Sequence, residues 1–165
     1  MIKPTLANNI LKLFFAQSTK LSDTILPDKC YIGIATAGDL NANGTNFVDL
    51  EPSTDAGYKR YLLCSYGEME VTNKMTTPTS GSIQNVETIF FPKATSAWGE
   101  IKYFGLISDV SGGEPVFWGE IKAPKLNADG EQEFDENGHP IYEAVSVEKS
   151  EVAIFSPGQL KITLS

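Results

Sequence analysis

The sequence predicts a mostly β protein: an antiparallel β-sandwich, of the jelly-roll or immunoglobulin kind, with a single helix at its N-terminus. Three observations predict it. Short runs rich in β-branched and aromatic residues recur from Cys30 to the end, separated by Gly, Pro, Asp and Asn clusters. Helical periodicity appears once, ahead of the first such run, so helices do not alternate with strands as a parallel sheet requires. The 165 residues are of single-domain length, and neither a linker nor an internal repeat is apparent, so residues 1–165 read as one domain.

The helix is expected over residues 5–17. Leu6, Ile10, Leu13 and Phe14 fall at helical spacing on one face, widened by Leu11 and Phe15, and Thr5 is placed to cap it after Pro4. A stripe this apolar at a terminus must pack on something. Its own sheet is the default partner. A neighbouring subunit is the sharper reading, and it makes these four residues candidate assembly contacts.

The strands follow in order. Cys30 to Ala35 and Tyr61 to Tyr66 are short apolar runs, and Thr88 to Phe91 is stopped by Pro92. Ile101 to Ile107 comes next. In Pro115 to Ile121, Val116, Trp118 and Glu120 alternate against Phe117, Gly119 and Ile121. Glu151 to Phe155 and Gln159 to Leu164 read as a hairpin about Ser156-Pro157-Gly158. Two long loops interrupt the series. One runs from Ala37 to Gly57. The other contains the turn pairs Asp129-Gly130 and Asn137-Gly138, and reads as a protruding β-hairpin inserted over residues 126–150. Between Asn127 and Glu151 it carries eight acidic residues against Lys149 alone.

Composition narrows the function. A formal net charge of -8 disfavours both a nucleic-acid binder, which needs a basic footprint, and docking on an anionic membrane. No apolar run approaches a membrane span, and no signal peptide is visible because Asn8, Asn9 and Lys12 break the first apolar stretch. Synthesis in a cytoplasm is the expectation. Cys30 and Cys64 sit in strand-like runs and read as buried thiols.

Catalytic machinery is hard to assemble from these residues. His139, the single histidine, stands beside a turn and before a proline, where nothing orients its ring for general-base work. Glu68 with Glu70, and Glu114 with Glu120, are the carboxylate pairs a glycosidase could use, but strand-end glutamates are ordinarily solvated charge. The two acidic turns lack the spacing and distal glutamate of a calcium loop, no phosphate-binding Gly loop is present, and no cofactor or metal site is expected. Trp98, Tyr103, Phe104, Phe117 and Trp118 concentrate in two adjacent strands. They read as core, or, through Trp98 and Trp118, as an aromatic surface for stacking sugars.

Trp98-Gly99-Glu100-Ile101-Lys102-Tyr103-Phe104-Gly105-Leu106 leads through Gly112-Gly113 to Phe117-Trp118-Gly119-Glu120-Ile121. This resembles a pattern in small phage structural proteins of the kind labelled tail fibre proteins. Three more segments fit the same family in order: Tyr31-Ile32-Gly33-Ile34, Glu51-Pro52-Ser53 with Gly57-Tyr58-Lys59-Arg60, and the closing Phe155, Gly158 and Leu160 to Leu164. The acidic stretch between Pro124 and Val152 is longer than the pattern has. The resemblance implies a non-enzymatic component of a phage or prophage particle, made in the host cytoplasm and carried on the virion. It would sit on the tail as fibre, baseplate or adaptor, or decorate the capsid. The implied partners are other virion proteins and further copies of itself, a trimer suiting either place, with assembly by multivalent contacts. The alternative is a carbohydrate-binding module for the host surface. A hydrolase of cell-wall sugar is a third reading. The residues themselves suggest that Arg60 pairs with Glu51 to shape the first long loop.

Overall fold

The computed structural model describes residues 29–66 and 71–163. The helix expected over residues 5–17, with Leu6, Ile10, Leu13 and Phe14, lies outside them. The described chain is mostly β. Its strands are β1 (Lys29–Thr36), β2 (Tyr61–Tyr66), β3 (Val71–Asn73), β4 (Ser82–Gln84), β5 (Ile89–Phe90) and β6 (Gly99–Ile107), then β7 (Pro115–Glu120), β8 (Ala123–Pro124), β9 (Tyr142–Glu143), β10 (Val145–Val147), β11 (Ile154–Phe155) and β12 (Lys161–Thr163).

The main sheet has six strands, all antiparallel, and curls into a half-barrel. Its spine is the pair β1–β6, with Gly33 opposite Gly105 and Ile32 opposite Leu106. The free edge of β6 is shared: its first three residues pair with β10, and Tyr103 to Ile107 pair with β7. Beyond β1 the order continues through β2 to β3. The pairs β4–β12 and β5–β11 form two small further sheets. Ile83, Ile89, Phe91, Leu160 and Ile162 from that region share one core with Ile32, Ile34, Leu63 and Leu106 of the main sheet.

β1 is buried on both faces, which is why its sequence is a nearly unbroken apolar run rather than an alternation. Ile32 and Ile34 enter the large core. Ala35 turns to a second, smaller core with Phe47 and Ile107, covered by the first long loop. A bulge opposite Ala35 and Thr36 shifts the register on β6. One extra residue there lets Ile101 share the large core with Phe104 and Leu106 despite the odd spacing.

The expected C-terminal hairpin does not form. β11 pairs with β5 and β12 with β4, not with each other. Asn85, 1% exposed, explains the difference. Its amide donates to the carbonyl of Ser156 at 2.9 Å and its carbonyl accepts from the Leu160 N–H at 2.9 Å. Its backbone bonds Leu160 and Gly158 as well. The Ser156-Pro157-Gly158 turn therefore wraps around Asn85, and its two limbs leave toward different partners.

Cys30 and Cys64 face each other across β1 and β2 as buried thiols that are not joined in a disulfide. Their mutual hydrogen bond and burial push the Cys30 thiol well up, which makes it a poor nucleophile.

Candidate interaction surfaces

The long first loop is held down by one buried charge. Arg60 donates through Nε to Glu51 Oε1 at 2.8 Å and through Nη2 to Glu51 Oε2 at 2.5 Å. Its Nη1 reaches the carbonyls of Asp109 and Gly112 in the β6–β7 turn, at 2.8 and 2.7 Å. Burial opposes the charge, but the bonds and charge of Glu51 outweigh it and raise the Arg60 pKa. Tyr58 donates to the same Glu51 oxygen at 2.7 Å and accepts the Ile34 N–H at 2.9 Å, where β1 has run past the end of its pairing with β2. Burial first, then the Glu51 charge, pushes the Tyr58 phenol far up, so it stays a neutral donor. The Glu51 and Gly57-Tyr58-Lys59-Arg60 segments thus form one clamp. Its effect is to lay Phe47 across Gly105, where a Cβ would lie 2.8 Å from the ring.

The two tryptophans singled out as an aromatic surface are not brought together. Trp98 is 6% exposed and belongs to the large core. Its indole N–H donates to the Ala56 carbonyl at 2.9 Å, and its ring meets Tyr58 edge-on at 5.5 Å. A bulky ring with a satisfied N–H at the entrance of β6 packs better than it would stack on solvent. Trp118 does face outward, beside Val116 and against Gly44. It pairs with Gly105, seven residues along β6 from Trp98, or roughly 23 Å at strand spacing. One ring of the expected pair is therefore unavailable to a sugar.

The carboxylate pairs fare similarly. Glu68 and Glu70 lie outside the described residues. Glu114 and Glu120 are both exposed and six residues apart along β7, roughly 20 Å, well beyond the separation of a glycosidase pair. His139 is exposed on its turn, 3.4 Å from Asp135. Among the described residues, no group of three or more His, Cys, Asp or Glu side chains is gathered for a metal.

The acidic segment is more ordered than a single hairpin. It leaves the main sheet as the two-stranded stem β8–β9 and then branches. One branch is closed by the Leu126–Gln132 bridge and the other by the Phe134–Pro140 bridge. At the branch point three N–H groups close a ring: Glu133 donates to the Lys125 carbonyl at 2.8 Å, Ile141 to Glu133 at 2.9 Å, and Lys125 to Ile141 at 3.0 Å. The amide of Gln132 lies over this ring and donates to the Ile141 and Glu133 carbonyls at 2.6 and 3.0 Å.

The three ring residues are eight apart, and an eight-residue repeat accompanies them. Leu126-Asn127-Ala128-Asp129-Gly130 corresponds to Phe134-Asp135-Glu136-Asn137-Gly138, and Tyr142-Glu143 begins a third copy. Asn127 Oδ1 accepts the N–H groups of Asp129 and Glu131, each at 2.9 Å, and Asp135 Oδ1 accepts those of Asn137 and His139, each at 2.8 Å. Gly130 and Gly138 close the two turns at φ 81 and 79. Asn127 Oδ1 and Asp135 Oδ1, each accepting two N–H groups, close these turns. The expectation of no internal repeat is thus corrected: two copies and a fragment are too short to stand out by composition, although the spacing of Asn127, Asp135 and the two glycines carried the signal. Val145 to Val147, read as part of the insertion, forms β10 in the main sheet. The side chains at the first position of each copy face outward: Leu126 at 51%, Phe134 at 60% and Tyr142 at 48% exposure.

The chain matches the family described as podophage GP4 fiber I protein gp80 over residues 2–137, most of its length. It belongs to that family. The protein is accordingly a bacteriophage structural component of the tail-fibre type, a part of the virion that associates with other virion proteins. The match includes the clamp, both long strands of the β6–β7 pair and the first branch of the acidic arm. No curated protein matches the chain.

Proposed function

We propose that this gp80-family protein is a non-enzymatic subunit of the tail fibre itself, rather than a capsid decoration, and that it works through multivalent assembly. The observation that carries this reading is the family match over residues 2–137. The surface supports it. Phe90 and Ile154 stand opposite each other on β5 and β11, at 56% and 49% exposure. Together with Leu126, Phe134 and Tyr142 they give the protein more than one outward apolar patch, the kind that neighbouring subunits cover. The acidic charge keeps the free subunit soluble, and repetition on a symmetric fibre converts weak contacts into avidity.

Gold-labelled antibody against the protein, applied to intact particles, tests the location. Label along the tail supports the reading, and label distributed over the capsid refutes it. Light scattering on the purified protein tests the assembly. A stable oligomer, a trimer foremost, is expected, and a clean monomer that also fails to bind particles lacking the protein would end the proposal.

A further inference from the structure

An apolar groove of about 520 Å³ opens between the main sheet and the C-terminal segment. Ile34, Ile101 and Phe104 line one side of it, and Ala153, Phe155 and Leu160 line another. Glu120, Lys122 and Lys161 also reach it. A truncated leucine leaves an apolar cavity of ~150 Å³, so this groove has room for roughly three or four aliphatic or aromatic side chains. No described side chain fills it.

We propose that the occupant is the chain's own N-terminal stripe, Leu6, Ile10, Leu13 and Phe14. Three observations converge on it. The stripe offers four large apolar side chains at helical spacing, which matches the room available. Its tether is long enough. Ile34 lies five residues along β1 from Lys29, roughly 17 Å, while the twelve residues from Gln17 to Lys29 reach up to ~40 Å. Its tether also favours the same chain over a neighbour, because a segment that spans to its site acts at millimolar effective concentration. The inference is independent of where on the particle the protein sits. It makes the stripe part of the subunit's own core instead of a contact between subunits.

The test is a photo-crosslink in the full-length protein at low micromolar concentration. Phe14→p-benzoylphenylalanine is irradiated and the linked peptides are mapped by mass spectrometry. Intramolecular links to the peptides holding Phe104, Ile121 or Ala153 to Leu160 are expected. Links elsewhere, or none, would overturn the proposal. Covalent dimers linked through the groove would also overturn it, and would assign the groove to a neighbouring copy. An independent readout uses Ala153→Trp, which fills the groove. Trypsin should cut after Lys12 roughly tenfold faster in this variant than in the wild type, at unchanged circular dichroism. Equal rates would count against the stripe being seated there.

Discussion

Removing the Arg60 guanidinium should be among the most damaging single changes in this protein. The Arg60 side chain is 1% exposed and that of Glu51 is 9%, so Arg60→Ala leaves a carboxylate buried with Tyr58 as its remaining donor. It also strips the Asp109 and Gly112 carbonyls of their partner. Breaking a buried ion pair from one side costs about 3–5 kcal/mol. At about 2–4 °C per kcal/mol for a chain of this length, the melting temperature should fall by ~6–20 °C. The contrast is the pair Lys125–Glu133 on the arm, whose side chains are 47% and 31% exposed. Solvent screens that pair, and removing it should leave the melting temperature nearly unchanged.

The assay is thermal unfolding of Arg60→Ala, Glu51→Leu and the double variant Arg60→Met with Glu51→Leu. Each single change should be costly. The double change removes both charges together and should recover at least half of the Arg60→Ala loss, since apolar replacement of a whole buried pair is often nearly neutral. A melting temperature for Arg60→Ala within about 2 °C of the wild type would refute the reasoning. Equal losses in the single and double variants would show that packing, rather than a stranded charge, sets the cost.

Gly105→Ala drives a Cβ into the Phe47 ring and should cost about 1–3 kcal/mol in thermal unfolding, with partial rescue by Phe47→Leu. Gln132→Ala uncovers the carbonyl ring of the arm, and amide exchange at Glu133 and Ile141 should accelerate while the main sheet stays protected. Trp98→Ala should lose about 3–5 kcal/mol and Trp118→Ala much less; comparable losses would contradict their different burial. Backbone hydrogen bonds from His139 and Asn137 hold the Asp135 carboxyl below its ordinary value. A depressed carboxylate stabilises above its unfolded pKa and loses that contribution as pH falls through the folded one, so the second arm turn should loosen only below about pH 4. Loosening already at higher pH, followed by NMR at Asn137 and His139, would contradict this.

Where strands are long and flanked by turn residues, the sequence was readable. Cys30 to Ala35, Tyr61 to Tyr66, Ile101 to Ile107 and Pro115 to Ile121 each have a strand at nearly the predicted limits, because burial of one or both faces imposes a visible apolar pattern. The Arg60–Glu51 pair was legible for another reason: Glu51-Pro52-Ser53 and Gly57-Tyr58-Lys59-Arg60 bracket the end of the first long loop, where an arginine and a carboxylate can tie it down. β3, β4, β8, β9 and β10 have two or three residues each, too few for any period to show. Trp98 was left between core and surface because alternation tells which residues share a face but not which face meets solvent, and Gly99, at φ 80, breaks the alternation at the strand's entrance. The Asn85 turn was illegible because its partners are more than seventy residues away.

Those hidden determinants share a physical cause. Strands this short leave many main-chain groups without ladder partners, and buried groups of that kind must be satisfied by something else. Here single polar side chains do so: Tyr58 for the Ile34 N–H, Arg60 for the β6–β7 turn and Asn85 for the Leu160 N–H, while Trp98 and Gln132 add a second bond to carbonyls that already accept a backbone N–H. Trp98, Asn85 and Gln132 hold their loops through backbone groups, while Arg60 and Tyr58 also grip the first loop through the one carboxylate of Glu51. The outward residues of those loops, such as Asn43, Thr45, Asp129 and Glu136, are therefore released from any part in the core. For a phage structural protein of this family, this separates the scaffold from the surfaces its partners meet, and lets the surfaces change while the sheet beneath them stays the same.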